Sequence, residues 1–271
     1  RDNMDAYLKI KPRKNRSYYA IKLTRDAELY LDEDDYSEEI VTQIIANLPK
    51  RAEGLPTRLL YDMRIEKELL KKIRHSFQLN KLDLVSGGTY HNLHDFFGFP
   101  QPLKTPSLFY TEQPPLKHPN LENQQNLLQH FAQHAEILHY PYQKFNPVIE
   151  LLKQAAISEK VHTISITFYR LASTSAVAQA LLLARENHKR VTVFIEVKAR
   201  FDEENNIFWG EKLQAAGAQV IYSKPNLKVH SKVFLIEGTD FKISHIGTGN
   251  FNEKNATIYT DFSYITPNKE V

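Results

Sequence analysis

A histidine and a lysine stand two places apart in the stretch NLKVHSKVFLI, residues 226–236, with apolar residues around them. In an extended chain, alternation puts Lys228, His230, Lys232 and Phe234 on one side and Val229, Ser231, Val233 and Leu235 on the other. A neutral imidazole at His230 can attack phosphorus, and the ammonium of Lys232 can hold oxygens that carry charge in the transition state. By itself the three-residue pattern is common and equally describes a strand entering the core from solvent. Its surroundings carry more information. The stretch SHIGTGNFN, residues 244–252, places His245 ahead of Gly247 and Gly249, which permit close backbone approach, while Thr248 and Asn250 add a hydroxyl and an amide. Such a turn after a strand suits an anion held by backbone N–H groups, although a plain turn uses the same residues. Arg170 follows ISITFY and Arg200 follows FIEVKA. At strand ends both are suited to bidentate phosphate contact, and the acids of ARFDEEN offer ion pairs instead.

Those groups need a frame. From about Asn120 the sequence alternates helix and strand. Helices are expected over LENQQNLLQHFAQH, NPVIELLKQAAI (Asn146 as cap, Pro147 at the first position), STSAVAQALLLARENH and EENNIFWGEKLQAAG, the last closing on Gly217. Strands are expected over VHTISITFY, RVTVFIEV, AQVIYS, KVHSKVFLIE, FKISHIG and ATIYTDFSYI. This alternation predicts a mostly parallel mixed sheet faced by helices, with ligands gathering beyond the carboxyl ends of its strands. Residues 1–99 read as a separate α+β unit. Its expected strands are AYLKIKP, SYYAIKL, TRLLYDM and LDLVSGG; its helices are YSEEIVTQIIANLPKR, capped by Asp35 or Ser37, and IEKELLKKIRHSF. Six prolines in residues 100–119 mark a connection. The expected organisation is therefore residues 1–110 as an α+β domain, 111–135 as connection and helix, and 136–271 as an α/β domain.

Composition narrows the classes. The 271 residues include no cysteine, which excludes a disulfide scaffold, a thiolate metal site and a cysteine nucleophile, and agrees with a reducing cytoplasm. A net charge of +3 permits an anionic partner without requiring one. No apolar run approaches a membrane-spanning length. The start RDNMDAYLKIKP lacks a signal-peptide core and an initiator Met, so a piece of a longer protein is expected.

The stretches TFYRLAS, VKARFDEENNIFWGEKLQAAGAQVIYS, NLKVHSK and HIGTGNFNEKNATIYTDFSYIT resemble polyphosphate kinases of the ATP-dependent, histidine-phosphorylating kind, whose catalytic half has the phospholipase D fold. The resemblance runs from about Ile137 to Thr266, and residues 1–110 are similar to that family's middle domain. It implies that His230 is phosphorylated by ATP or by the end of a polyphosphate chain, and that Lys232 and His245 belong to the catalytic set. It sets Arg170 and Arg200 at positions associated with Mg²⁺ and phosphate, and Tyr259 at a nucleotide-contacting position; Gly247, Gly249 and Asn250 stand as phosphate-binding candidates on the residue reading above. Implied with these are ATP or ADP and polyphosphate as substrates, a homo-oligomer, no specific nucleic acid, and a place in the cytoplasm or peripherally at the inner membrane surface. The phospholipase D pattern expects Asp five residues after the lysine, where Glu237 stands. The family's second catalytic half and its N-terminal helical domain have no counterpart in these residues, so the chain reads as a fragment carrying the nucleophile half of the site. Two other readings remain at this point: a phosphodiesterase or nuclease of the same superfamily, and a non-catalytic polyanion-binding module.

Other patterns are set aside. His130 and His134 are four apart, but Phe131 stands where a zinc protease needs Glu. His91 and His94 read as loop residues, DEDD (Asp32–Asp35) as acids before a helix, KIKPRKNR as a solvated hairpin turn, and DFFGFP as domain packing.

Overall fold

The computed structural model describes residues 4–11, 16–26, 39–49, 54–100, 105–111, 113–224 and 227–271. The cap at Asp35 or Ser37, the DEDD run and most of the basic turn at Pro12–Arg16 lie outside these residues. The chain forms two compact units, one of residues 1–30 with 46–110 and the other of residues 31–45 with 111–271.

The first unit holds a three-stranded sheet in the order β1 (Ile21–Arg25), β2 (Pro56–Asp62), β3 (Leu84–Gly87); β1 runs antiparallel to β2, and β2 parallel to β3. AYLKIKP, expected as a strand, instead supplies the short helix α1 (Met4–Tyr7), whose Asp5 accepts from Arg16 Nη1 at 2.8 Å. Helix α2 (Glu39–Asn47) straddles the division between the units, and α3 (Lys67–Ser76) follows β2. Asp62, at the end of β2, is fully buried and chelates Arg64 through Nε (3.2 Å) and Nη2 (3.1 Å).

The second unit begins with α4 (Leu127–Phe131), far shorter than its expected span, because Asn126 caps it through Gln129 N–H at 2.9 Å. After it comes β4 (Glu136–Tyr140), which the pattern did not reveal. Then α5 (Asn146–Ile157), β5 (Val161–Phe168), α6 (Ala176–Glu186), β6 (Arg190–Ile195), α7 (Glu203–Ala215), β7 (Gln219–Tyr222), β8 (Lys232–Gly238), β9 (Lys242–Gly247) and β10 (Asp261–Thr266) complete it. Asn146 is the first helical residue of α5 rather than its cap, which is Phe145.

The sheet order is β4-β10-β9-β8-β5-β6-β7. The β5–β6 and β6–β7 ladders are parallel, and those on either side of β8 and of β10 are antiparallel. So β4, β5, β6, β7 and β9 run one way, and β8 and β10 the other. One side of the strands, through Ile164, Ile166, Val193, Ile236 and Ile243, packs under α5 and α6 into a single apolar core, with Leu151, Leu181 and Leu213 fully buried. The other side is only half-buried.

Gly217 ends α7 with φ of +84°, donating to Gln214 C=O (2.8 Å), while Ala218 N–H reaches Leu213 C=O (3.0 Å). A Cβ here would lie 2.8 Å from Arg185 Nη2 as well as strain the backbone. Gly217→Ala should therefore destabilise the fold by roughly 1–2 kcal/mol, read as a lower urea midpoint at unchanged slope.

Candidate functional site

Because β8 and β10 are reversed, their amino ends meet the carboxyl ends of their neighbours along one rim. Phe168 lies beside Ile195, Ile195 beside Tyr222, Lys232 beside Gly247, and Asp261 beside Tyr140. Arg170, Arg200, His230, Lys232 and the glycine turn all belong to segments that leave or enter the sheet there.

His230 lies two residues before β8 rather than within it. The Thr167 hydroxyl donates to Ser231 C=O (2.7 Å) and accepts from Val233 N–H (3.1 Å), taking up groups that a longer ladder would need. The face expected to hold Lys228, His230, Lys232 and Phe234 is thus broken: Lys232 and Phe234 are buried, whereas His230 is exposed. The His230 ring meets Tyr169 edge-on, with centroids 4.7 Å apart. Lys232 Nζ lies 5.2 Å, Lys228 Nζ 5.4 Å and Arg170 Cζ 5.6 Å from the same ring centroid. Each such contact is worth about 0.5–1 kcal/mol at an exposed site. One tyrosine thereby gathers three cations and the imidazole. Lys232 Nζ also donates to His230 C=O.

Desolvation, then Lys232 and Lys228, hold the His230 imidazole below its ordinary pKa, against the opposing charge of Glu196. The ring is neutral at pH 7 and carries a free electron pair. Burial lowers Lys232 as well, and Lys228 adds to this while Asp261 opposes it.

Arg170 is held at the rim by Asp202 (Nε to Oδ2, 3.3 Å) and by Arg200 C=O (Nη2, 3.2 Å). The Arg200 guanidinium is exposed and lies over Phe201, 5.3 Å from its centroid. Tyr259 is 59% exposed, in the turn ahead of β10, so ATIYTDFSYI becomes a strand only from Asp261. His245, expected alongside His230, is instead 1% exposed. It stacks on Phe234 (4.7 Å, 17°), meets Phe251 at 5.0 Å, and shares a 2.7 Å hydrogen bond between Nε2 and Ser263 Oγ. Burial pushes its pKa down to about 3.

The glycine turn also differs from an anion cradle. Thr248 N–H is used on Phe262 C=O (3.0 Å), and Thr248 Oγ1 donates to Asp261 Oδ1 (2.8 Å). A Cβ on Gly249 would sit 2.6 Å from Asp261 Oδ2, and one on Gly247 2.8 Å from His245 Cε1. These glycines make room for a carboxylate and an imidazole. Asn250 Oδ1 is buried without a hydrogen-bond partner among the described residues. Glu237, in place of the expected Asp, sits at the far end of β8 and pairs with Lys242 at 2.6 Å.

Residues 126–271 match the family model described as polyphosphate kinase C-terminal domain 1, and residues 11–99 match that described as polyphosphate kinase middle domain. The chain belongs to the polyphosphate kinase family. It is 40% identical over 259 residues to a polyphosphate kinase of Vibrio parahaemolyticus, covering 93% of this chain and 37% of that protein. Against the polyphosphate kinase of Escherichia coli it is 38% identical over 260 residues, with 93% and 38% covered. The crystal structure of polyphosphate kinase from Porphyromonas gingivalis aligns with a TM-score of 0.73 at 33% identity, covering 98% of this chain and 38% of that one. The chain thus spans under two-fifths of the length of these relatives. An α+β unit and an α/β unit with a mixed seven-stranded sheet make up the fold of this polyphosphate kinase segment.

Polyphosphate kinase resemblance brings Mg²⁺ to Arg170 and Arg200, and these residues do not fit a metal ion. Guanidinium is cationic and only donates. Among the described residues, no group of three or more His, Asp or Glu side chains is arranged to hold one. Three residues of the rim escaped the sequence reading: Tyr169, Glu196 and Asp261. Glu196 did leave a signal, as the single acid in the apolar run RVTVFIEV.

Proposed function

We propose that this chain is the nucleophile-bearing part of an enzyme that reversibly transfers the terminal phosphate of ATP to polyphosphate through a phosphohistidine at His230. The observation that carries the reading is a neutral, exposed imidazole amid Lys228, Lys232 and Arg170, all packed around Tyr169. The imidazole nitrogen attacks the terminal phosphorus in line; the N–P bond forms as the bond to the leaving ADP oxygen breaks. Lys232 and Arg170 stabilise charge on the transferred oxygens, since phosphoryl transfer asks chiefly for positioning and electrostatics. Attack by the end of a polyphosphate chain returns the imidazole to its starting state, and reversal makes ATP from ADP.

Arg200 contributes from the rim, and Tyr259 offers an exposed ring for the nucleotide. Gly249 acts by admitting Asp261, which favours the charged form of Lys232, and Gly247 by admitting the His245 ring. Any Mg²⁺ that came with the substrate would be held by phosphate oxygens, with Arg170 and Arg200 binding those oxygens rather than the ion. A homo-oligomer, in the cytoplasm or at the inner membrane surface, is part of the same reading; no helix among the described residues is long and apolar enough to cross a membrane.

The test is the rate at which the complete protein takes up acid-labile, alkali-stable label from γ-labelled ATP. Lys232→Met keeps the packing and removes the charge. Label uptake should slow about 10²–10³-fold, while stability changes little because the recovered desolvation cost of the charge offsets its lost contacts with Tyr169 and His230 C=O. Unchanged uptake would remove Lys232 from the site.

A further inference from the structure

We propose that Glu196 is the positioning residue of the nucleophile: its buried carboxylate holds the backbone of Val229 and so fixes where His230 presents its imidazole. This rests on the reading of His230 as the phosphorylated residue. Residues 227–231 lie outside any strand, so no ladder fixes them. Side-chain anchors do so on either side of His230. Glu196 Oε2 accepts from Val229 N–H at 2.6 Å, and Thr167 Oγ1 donates to Ser231 C=O at 2.7 Å. Glu196 is 2% exposed and is itself held at the ends of β6 and β7: Oε1 accepts from Ser223 Oγ (3.1 Å) and Lys198 N–H (3.0 Å). Its own carbonyl accepts from Asn206 Nδ2 at 2.9 Å.

A buried acid is costly unless each oxygen is satisfied, and charge-assisted bonds such as that to Val229 are short and strong. A neutral side chain could fill the volume. The carboxylate does two things that a filler cannot. It pulls one backbone N–H inward, which leaves the next side chain directed outward over Tyr169. It also supplies negative charge that opposes Lys228 and Lys232 at His230, limiting how far they lower the affinity of the ring for a proton.

The test uses this chain and phosphoramidate, a small phosphoryl donor, with sites mapped by mass spectrometry. Exposed His188 serves as the internal reference. In Glu196→Gln the amide presents a donor or a weaker acceptor to Val229 N–H. His230 phosphorylation should slow at least about tenfold while His188 is unaffected, and the titration midpoint of His230 should move to lower pH. Wild-type rate and midpoint at His230, with cooperative unfolding retained, would overturn the positioning role alone. If Glu196→Gln does not fold, Ser223→Ala decides: a two- to threefold slowing at His230 supports the proposal, and wild-type behaviour overturns it. Should His230 react no faster than His188 in the unaltered chain, the nucleophile reading fails first, and the positioning role with it.

Discussion

His230→Ala in the complete protein should reduce acid-labile, alkali-stable incorporation from γ-labelled ATP to background, a fall of at least ~10³-fold. The size follows from the rim. Nucleophilic transfer needs an accessible, unprotonated nitrogen with positive charge ready for the departing phosphate oxygens. His230 meets each condition, being exposed, held below its ordinary pKa and neighboured by Lys228, Lys232 and Arg170. His245 is unprotonated too but inaccessible, sealed between Phe234 and Phe251 with its Nε2 on Ser263. His245→Gln should accordingly keep label at His230, reduced only as far as the β9 packing is disturbed. Full labelling of His230→Ala would refute the assignment.

The second large effect is on stability in acid, and it comes from His245. Its folded pKa of about 3 lies below the 6.5 of an unperturbed histidine, because burial disfavours the imidazolium. The backbone carbonyls of Lys232 and His245 oppose that effect and are outweighed. Between these values the unfolded chain binds a proton that the folded chain does not, so stability falls as pH drops from about 6.5 towards 3. The loss attributable to this one group is on the order of a few kcal/mol. Urea midpoints at pH 7 and pH 4.5 measure it. His245→Phe should be less stable than wild type at pH 7, where Ser263 loses its partner, and should show a flatter decline towards pH 4.5. Parallel declines in both proteins would place the acid sensitivity elsewhere.

The contrast between these two histidines shows what the sequence reveals and what it hides. Both precede glycine-rich or lysine-bearing stretches and both look chemical. Only the sheet register, which pairs His245 with Phe234 two residues inside Lys232, shows that one of them is core. The elements of the α/β unit were legible where period and length agreed, as in α5, α6, α7, β5, β6, β7 and β9, whereas β8 starts at Lys232 rather than Lys228. β4 was hidden because EILHY follows a polar stretch that continues helical spacing, and Asn126 truncates that helix by local capping. The exposure of His230 was not legible, since it depends on Thr167 taking over backbone groups from a strand more than sixty residues away. Nor was Glu196, whose role exists only through a hydrogen bond to the 229 backbone. The arginines at the rim were found because both follow strands; that Asp202 occupies Arg170 follows from the turn geometry ahead of α7.

The β8–β9 hairpin turns at Gly238–Phe241, at the opposite end of those strands from Lys232 and Gly247. The number of residues between His230 and the glycine turn is therefore set by a loop remote from that rim. A short peptide grafted at Thr239–Asp240, both exposed, would lengthen the interval without shifting either end, offering a place for a fluorophore or affinity handle.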